Sequence, residues 1–187
     1  MASIRTFVAL SSSPEVQSAL SRIQSQLKEE KAEVRWDSPE KFHITLKFLG
    51  NVDEQNVAPI GTLLGAVVSA IPQFDLTYSF LGAFPDFAHP RVFWVGAQSN
   101  ATVELLQKEI ATACEKLGFP REEKKFHPHI TLGRVKGTLN LNRLTAKAKS
   151  ITFDPIIMRC SGVLLIKSDL RSTGSIYSTL NSFPFKA

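Results

Sequence analysis

The chain has 187 residues, 43% hydrophobic and 21% charged, with 22 Lys and Arg against 17 Asp and Glu for a formal net charge of +5. That length buries a substantial core, and the composition excludes a disordered tail, a low-complexity array and a protein of histone-like charge, while favouring anionic partners such as nucleic acid. Two cysteines exclude a disulfide framework or zinc cluster, and neither a membrane-length apolar run nor a leader peptide is seen, so a cytoplasmic protein with no membrane partner is expected.

Residues 4–10 read as a first strand. Ser13 caps a helix with Pro14 at its first position, and Val16, Leu20, Ile23 and Leu27 recur at helical spacing, an apolar stripe that needs a sheet to cover it. A short strand follows at 34–37. Residues 41–49 alternate, with His43, Thr45 and Lys47 on one face and Phe42, Ile44, Leu46 and Phe48 on the other. Gly50-Asn51-Val52-Asp53 is expected to break that strand. A second helix reaches about residue 70 with Val57, Ile60, Leu64 and Val67 inward, and Pro59 fits it only in the first turn.

Residues 74–81 and 91–97 read as strands around a loop at 85–90. Ser99-Asn100 caps a third helix that runs to about Leu117 and ends at Gly118, with Val103, Leu106, Ile110 and Cys114 along one side. The charged turn 121–125 then delivers the chain into Phe126-His127-Pro128-His129-Ile130-Thr131-Leu132. Pro128 lacks an N–H, so this strand starts there or lies at a sheet edge. A short helix at 139–149 and two strands, 156–168 and 175–183, complete the order.

Only four histidines occur, and two of them open the same word: His43-Ile44-Thr45-Leu46 and His129-Ile130-Thr131-Leu132. The words occupy corresponding places in a loosely repeated order of strands and helices, which points to an internal duplication. The expected fold is α+β and bilobal, with antiparallel sheets lining a central groove about a pseudo-two-fold axis and helices outside. Residues 1–187 are read as a single domain.

On a strand, residues i and i+2 share a face, so each word presents an imidazole beside a hydroxyl: His43 with Thr45, His129 with Thr131. Histidine titrates near neutral pH, so one imidazole can accept a proton while the other, beside a phosphate, gives one up. In-line cleavage of a phosphodiester needs both a base and an acid, each transfer being worth roughly one hundred to ten thousand in rate. The threonine hydroxyls can donate to non-bridging oxygens.

Arg134 could add a guanidinium, but ideal alternation puts it opposite His129, so a bulge or strand end would have to turn it inward, and a surface arginine is the competing reading. Lys47 has the right phase, with an exposed strand lysine as its default reading. His89 and His127 are read as ordinary surface or core residues. Threonine is a weak metal ligand, and no H-E-x-x-H, C-x-x-C or G-x-S-x-G pattern accompanies the words, which leaves acid–base chemistry with no metal and no cofactor.

These words, with the flanks Arg5-Thr6-Phe7-Val8-Ala9, Phe42 to Gly50, Pro90-Arg91-Val92-Phe93-Trp94 and Phe126 to Arg134, resemble the two-histidine phosphoesterase superfamily. The likeness is to its RNA 2',3'-cyclic phosphodiesterases, also called 2'-5' RNA ligases, and it covers nearly the whole chain. It implies opening of a terminal 2',3'-cyclic phosphate on RNA, or on a nucleotide, to a 2'-phosphate by a monomer. His43 would then be the general acid toward the departing 3' oxygen and His129 the general base toward water. Thr45 and Thr131 would hold the phosphate, and Arg134 matches the family's arginine after the second motif. Reverse 2'-5' ligation is a second reaction of such enzymes. Relatives acting on ADP-ribose cyclic phosphate or 2'-5' oligonucleotides, and a noncatalytic RNA-binding module, are the alternatives.

Overall fold

The computed structural model describes residues 3–98, 100–172 and 174–186. Ser99, read from the sequence as part of a helix cap, lies outside the described residues. Within them the chain runs through β1 (Ser3–Ser11), α1 (Pro14–Lys28), β2 (Val34–Trp36), β3 (His43–Asp53), α2 (Val57–Val68), β4 (Phe74–Phe84) and β5 (Val92–Ala97). It continues through α3 (Ala101–Glu115), β6 (His129–Val135), α4 (Leu141–Ser150), β7 (Ile156–Cys160), β8 (Gly162–Arg171) and β9 (Gly174–Pro184).

Helix starts follow local chemistry. The Ser13 side chain accepts from the Val16 N–H, Pro14 fills the first helical position, and Asn100 Oδ1 accepts from the amides of Thr102 and Val103. Pro59 falls in the first turn of α2, where a missing N–H costs nothing. Every stripe residue named for α1 and α3 is buried. In α2 Val68, rather than Val67, completes the buried face with Ile60 and Leu64. These side chains join one core with Val8, Leu10, Ile44, Ile130 and Leu132, each burial contributing about 1.5–3 kcal/mol.

The strands form one antiparallel sheet in the order β7-β4-β5-β6-β3-β1-β8-β9, with β2 beside β6. That order is symmetric about the β3–β6 seam: β6 answers β3, β5 answers β1, and β4 answers β8. The expected duplication is therefore present, but the two sides of the sheet are not the two halves of the sequence. β4 leaves the first half to pair with β5, and β8 leaves the second to pair with β1.

The sequence reading of 156–168 as one strand is corrected accordingly. β7 ends at Cys160 on β4, and after Ser161 the chain enters β8 on the far side of the sheet. Only a curled sheet lets one residue span that distance. Pro72, ahead of β4, bridges Lys186, beyond β9, and so brings the far ends together. The expected break at 50–53 is also absent. β3 continues to Asp53 against β1, with Gly50 taking φ +70° at a register irregularity that glycine tolerates and other residues resist.

β3 and β6 meet at one residue pair, Ile44 with Ile130, both buried. Ile130→Ala should cost about 2–5 kcal/mol, from the cavity left at the point where the two sides join. Urea unfolding monitored by circular dichroism measures it, and a loss below about 1 kcal/mol would show that the seam is held elsewhere.

Candidate active site

In an antiparallel ladder centred on Ile44 and Ile130, the residues one step away lie opposite one another. His43 therefore faces Thr131, and His129 faces Thr45, all four on the side away from the core. Each imidazole is oriented by the same device. His43 Nδ1 lies 2.6 Å from the Lys41 carbonyl and His129 Nδ1 lies 2.6 Å from the His127 carbonyl. A carbonyl only accepts, so Nδ1 carries the proton in both rings and Nε2 is the nitrogen left to accept one. Thr45 Oγ1 stands 3.1 Å from His43 Nε2, placed to donate to it.

Alternation fails at the same letter of both words. β1 pairs Ala9 with Thr45 but Val8 with Lys47, leaving Leu46 as an extra residue, and β5 pairs Trp94 with Thr131 but Phe93 with Gly133, leaving Leu132 extra. A β-bulge of this kind re-aims every side chain beyond it. Arg134 thereby comes onto the face of His129 and Thr131, where it stands exposed. Its charge acts on both histidines.

The bulge carbonyl of Leu132 does not go unpaired: it accepts from the Asp37 amide at 2.9 Å and from Gln24 Nε2 at 2.9 Å. Gln24, buried on α1, also donates to the Asp37 carbonyl. Sequence patterning gave no sign of this brace, because a glutamine in an apolar helical stripe reads as an exception.

In the first word the bulge has the opposite consequence. Lys47, read from the sequence as an exposed strand lysine, is only 2% exposed and points away from the groove. Its ammonium donates to the Pro120 carbonyl and pairs with Glu122 at 2.9 Å, tying the segment before β6 to β3. Phe48, assigned to the core face, instead stands 58% exposed at the place that Arg134 occupies in the second word. The site is thus two-fold in its histidines and threonines and asymmetric one step beyond the bulge. His127 contributes its backbone carbonyl, and His89 is a surface residue 4.0 Å from Asp86.

Aromatic rings wall both histidines. Phe7 and Tyr177 lie 4.9 Å and 5.4 Å from His43, and Phe84 and Trp94 lie 4.9 Å and 5.6 Å from His129. Desolvation by these walls pushes His43 down to about 4, the Lys41 carbonyl opposing the shift and the charges of His129 and Arg134 adding to it. Burial lowers His129 as well, with Arg134 and His127 contributing. Asp37 is raised by burial against the pull of Arg134, Arg35 and Lys41. Among the described residues no group of three or more His, Cys, Asp or Glu side chains is arranged to hold a metal ion.

The family model for LigT like Phosphoesterase matches this chain twice, over residues 10–94 and 95–177, each match containing one histidine word. The chain belongs to this family. Its sequence is 33% identical over 181 residues to an RNA 2',3'-cyclic phosphodiesterase of Methanothermobacter thermautotrophicus, covering 96% of this chain and 98% of the relative. It is 35% identical over 183 residues to an RNA 2',3'-cyclic phosphodiesterase of Thermotoga maritima, covering 98% and 96%.

Among solved structures, TT0787 of Thermus thermophilus superposes with a TM-score of 0.81 at 24% identity, covering 97% of this chain and 98% of that one. E. coli LigT complexed with 3'-AMP does so with a TM-score of 0.79 at 21% identity over the whole of both chains. These likenesses establish a LigT-type fold, as the repeated words imply. No described helix is long and apolar enough to cross a membrane.

Two measurements follow from the site. Gln24→Leu removes a donor shared by the buried Leu132 carbonyl and the half-buried Asp37 carbonyl and should destabilise the fold by about 1–3 kcal/mol in urea; an unchanged midpoint would mean the bulge holds without it. The folded-state pKa of His43 lies below its ordinary 6.5, so the unfolded chain takes up the proton first as pH falls. The His43 contribution to stability should therefore decline from about pH 6.5 toward pH 4 and be spent below, with His43 imidazole resonances titrating near the lower end, and the pH dependence that His43→Gln removes isolates it. A His43 titration at 6.5 or above would contradict the burial described.

Proposed function

We propose that this chain hydrolyses the 2',3'-cyclic phosphate at the end of an RNA, leaving a 2'-phosphate, by acid–base catalysis between His43 and His129 without a metal. The observation that carries this reading is the pair of imidazoles across the β3–β6 seam, each with Nδ1 committed to a backbone carbonyl and Nε2 left for the groove, that of His43 beside the Thr45 hydroxyl. The names of the relatives at 33% and 35% identity support the substrate class.

In this mechanism a water oxygen attacks phosphorus while its proton passes to Nε2 of His129. The new P–O bond forms as the bond to O3' breaks in line with it, and protonated His43 delivers its Nε2 proton to O3'. Thr45 and Thr131 donate to the non-bridging oxygens. The Arg134 guanidinium holds the charge that accumulates on them as the transition state forms. Phe48 offers an exposed ring beside His43 on which the terminal base stacks. Run in reverse with a 5'-hydroxyl in place of water, the same pair would make a 2'-5' linkage, and hydrolysis prevails where water is abundant.

His43 poses a condition, since an acid must enter the reaction protonated and burial disfavours that state. The anionic cyclic phosphate supplies the missing counter-charge, so substrate binding raises the His43 pKa. Both words come from one chain, which is consistent with a monomeric single-domain enzyme spanning residues 1–187. Two unpaired buried cysteines, Cys114 and Cys160, fit a reducing cytoplasm.

The test is an RNA oligonucleotide ending in a 2',3'-cyclic phosphate, incubated with chelator and resolved by product. A 2'-phosphate is expected, with kcat lowered by roughly one hundred to ten thousand in His43→Ala and in His129→Ala. Full turnover by either variant, or loss of activity to chelator, overturns the reading. The pH profile should be bell-shaped. Its alkaline limb reports loss of the His43 proton, and it should lie at higher pH in kcat than in kcat/KM, because bound phosphate favours the imidazolium.

A further inference from the structure

The groove carries a second aromatic wall, on the His129 side, that the chemistry at phosphorus leaves unused. Phe80, Gly82 and Phe84 of β4 and Trp94 and Gly96 of β5 share the face of His129. Phe84 stacks on Trp94 at 4.7 Å and 30°, and Phe80 meets Trp94 edge-on at 5.7 Å. The rings lie close on the sheet because two backbone positions have no side chain. A Cβ at Gly82 would collide with the Trp94 indole, and one at Gly96 with both Phe80 and Trp94.

Packing explains part of this wall, since Phe84 and Trp94 both touch the His129 ring. It does not explain Phe80, which is 45% exposed beside a register irregularity of the ladder and adds nothing to the core. Phe80 also borders a cavity of about 480 Å³ whose lining includes Ser79, Phe87, Lys149 and Phe153, with the Lys149 ammonium 5.8 Å from the Phe87 ring.

We propose that Phe80 and Trp94 form a second nucleobase subsite, which stacks the base of the nucleotide preceding the cyclic end and makes oligonucleotides better substrates than nucleoside cyclic phosphates. The proposal rests on the cyclic phosphodiesterase reading above. Its occupant follows from continuity with the phosphate site. Trp94 lies 5.6 Å from His129 and Phe80 lies 5.7 Å beyond Trp94, so a strand whose cyclic end reaches the histidines brings its preceding base to these rings. Stacking on aromatic faces tolerates any base, so the subsite sets a preference for length and not for sequence.

The experiment compares kcat/KM for three substrates: a nucleoside 2',3'-cyclic phosphate, an oligonucleotide with a 2',3'-cyclic end, and the same oligonucleotide with an abasic penultimate residue. The intact oligonucleotide should exceed the abasic one roughly tenfold. Phe80→Ala should erase that difference and leave the nucleoside substrate unchanged, while Phe80→Leu, which keeps an apolar side chain without a π-face, should erase most of it.

Equal rates on intact and abasic oligonucleotides in the wild-type protein would overturn the subsite, as would an equal loss on all three substrates in Phe80→Leu. A protein that turns over none of the three refutes the hydrolase reading itself. A binding measurement stands apart from turnover: of the two tryptophans, Trp36→Phe leaves Trp94 as sole reporter. Its fluorescence should be quenched by the 2'-phosphate oligonucleotide and not by its abasic counterpart, and equal quenching by both counts against the subsite.

Discussion

Where β3 and β6 run antiparallel past Ile44 and Ile130, two strands that barely touch place two imidazoles and two hydroxyls on one face. The geometry of the candidate site depends on that crossing. An apolar residue buried between histidine and threonine pins each strand to the core, and the pleat sends its neighbours to the opposite side. A one-residue slip of either strand would bury the imidazoles and expose the isoleucines, so the hydrophobic effect itself selects the register. The ladder is a single residue pair at this point, so the two histidine words share a face without being zipped together along their length.

The bulges at Leu46 and Leu132 convert a symmetric frame into a directional one. Beyond each bulge the alternation inverts, so the second residue after leucine faces the groove. In one word that residue is Phe48 and in the other Arg134. One side thus offers an apolar ring and the other a fixed positive charge, and the two histidines no longer have equivalent surroundings. The residue between also differs. Gly133 leaves space that Val34 and Trp36 fill, whereas Lys47 must find partners in Pro120 and Glu122 and fastens the following segment to β3.

The exchange of strands between the two repeats interlocks the two sides of the sheet. β4 and β8 each complete the side of the sheet begun by the other repeat, so neither half can bury its hydrophobic face alone. The short passage at Ser161 and the bridge from Pro72 to Lys186 curl the sheet, with the helices on one side and the histidines on the other. Such a frame can hold two imidazoles in a partly desolvated position, where their pKa values fall and proton transfer answers to the charge of a bound phosphate.

Much of this was legible in the residues alone. The repeated word, the helical stripes, the Ser13 and Asn100 caps and the pairing of imidazole with hydroxyl follow from local periodicity, which the chain carries with it wherever it folds. The facing of Lys47, Phe48 and Arg134 was not legible, because alternation assumes an unbroken ladder and a bulge is set by the neighbouring strand. Nor was the splitting of 156–168, since one apolar run can serve two partners and only the curl of the sheet separates them. Sequence by itself determined which groups could transfer a proton and that there were two of each. Tertiary structure decided which way they point, because register, bulge and burial arise from contacts between segments far apart in the chain.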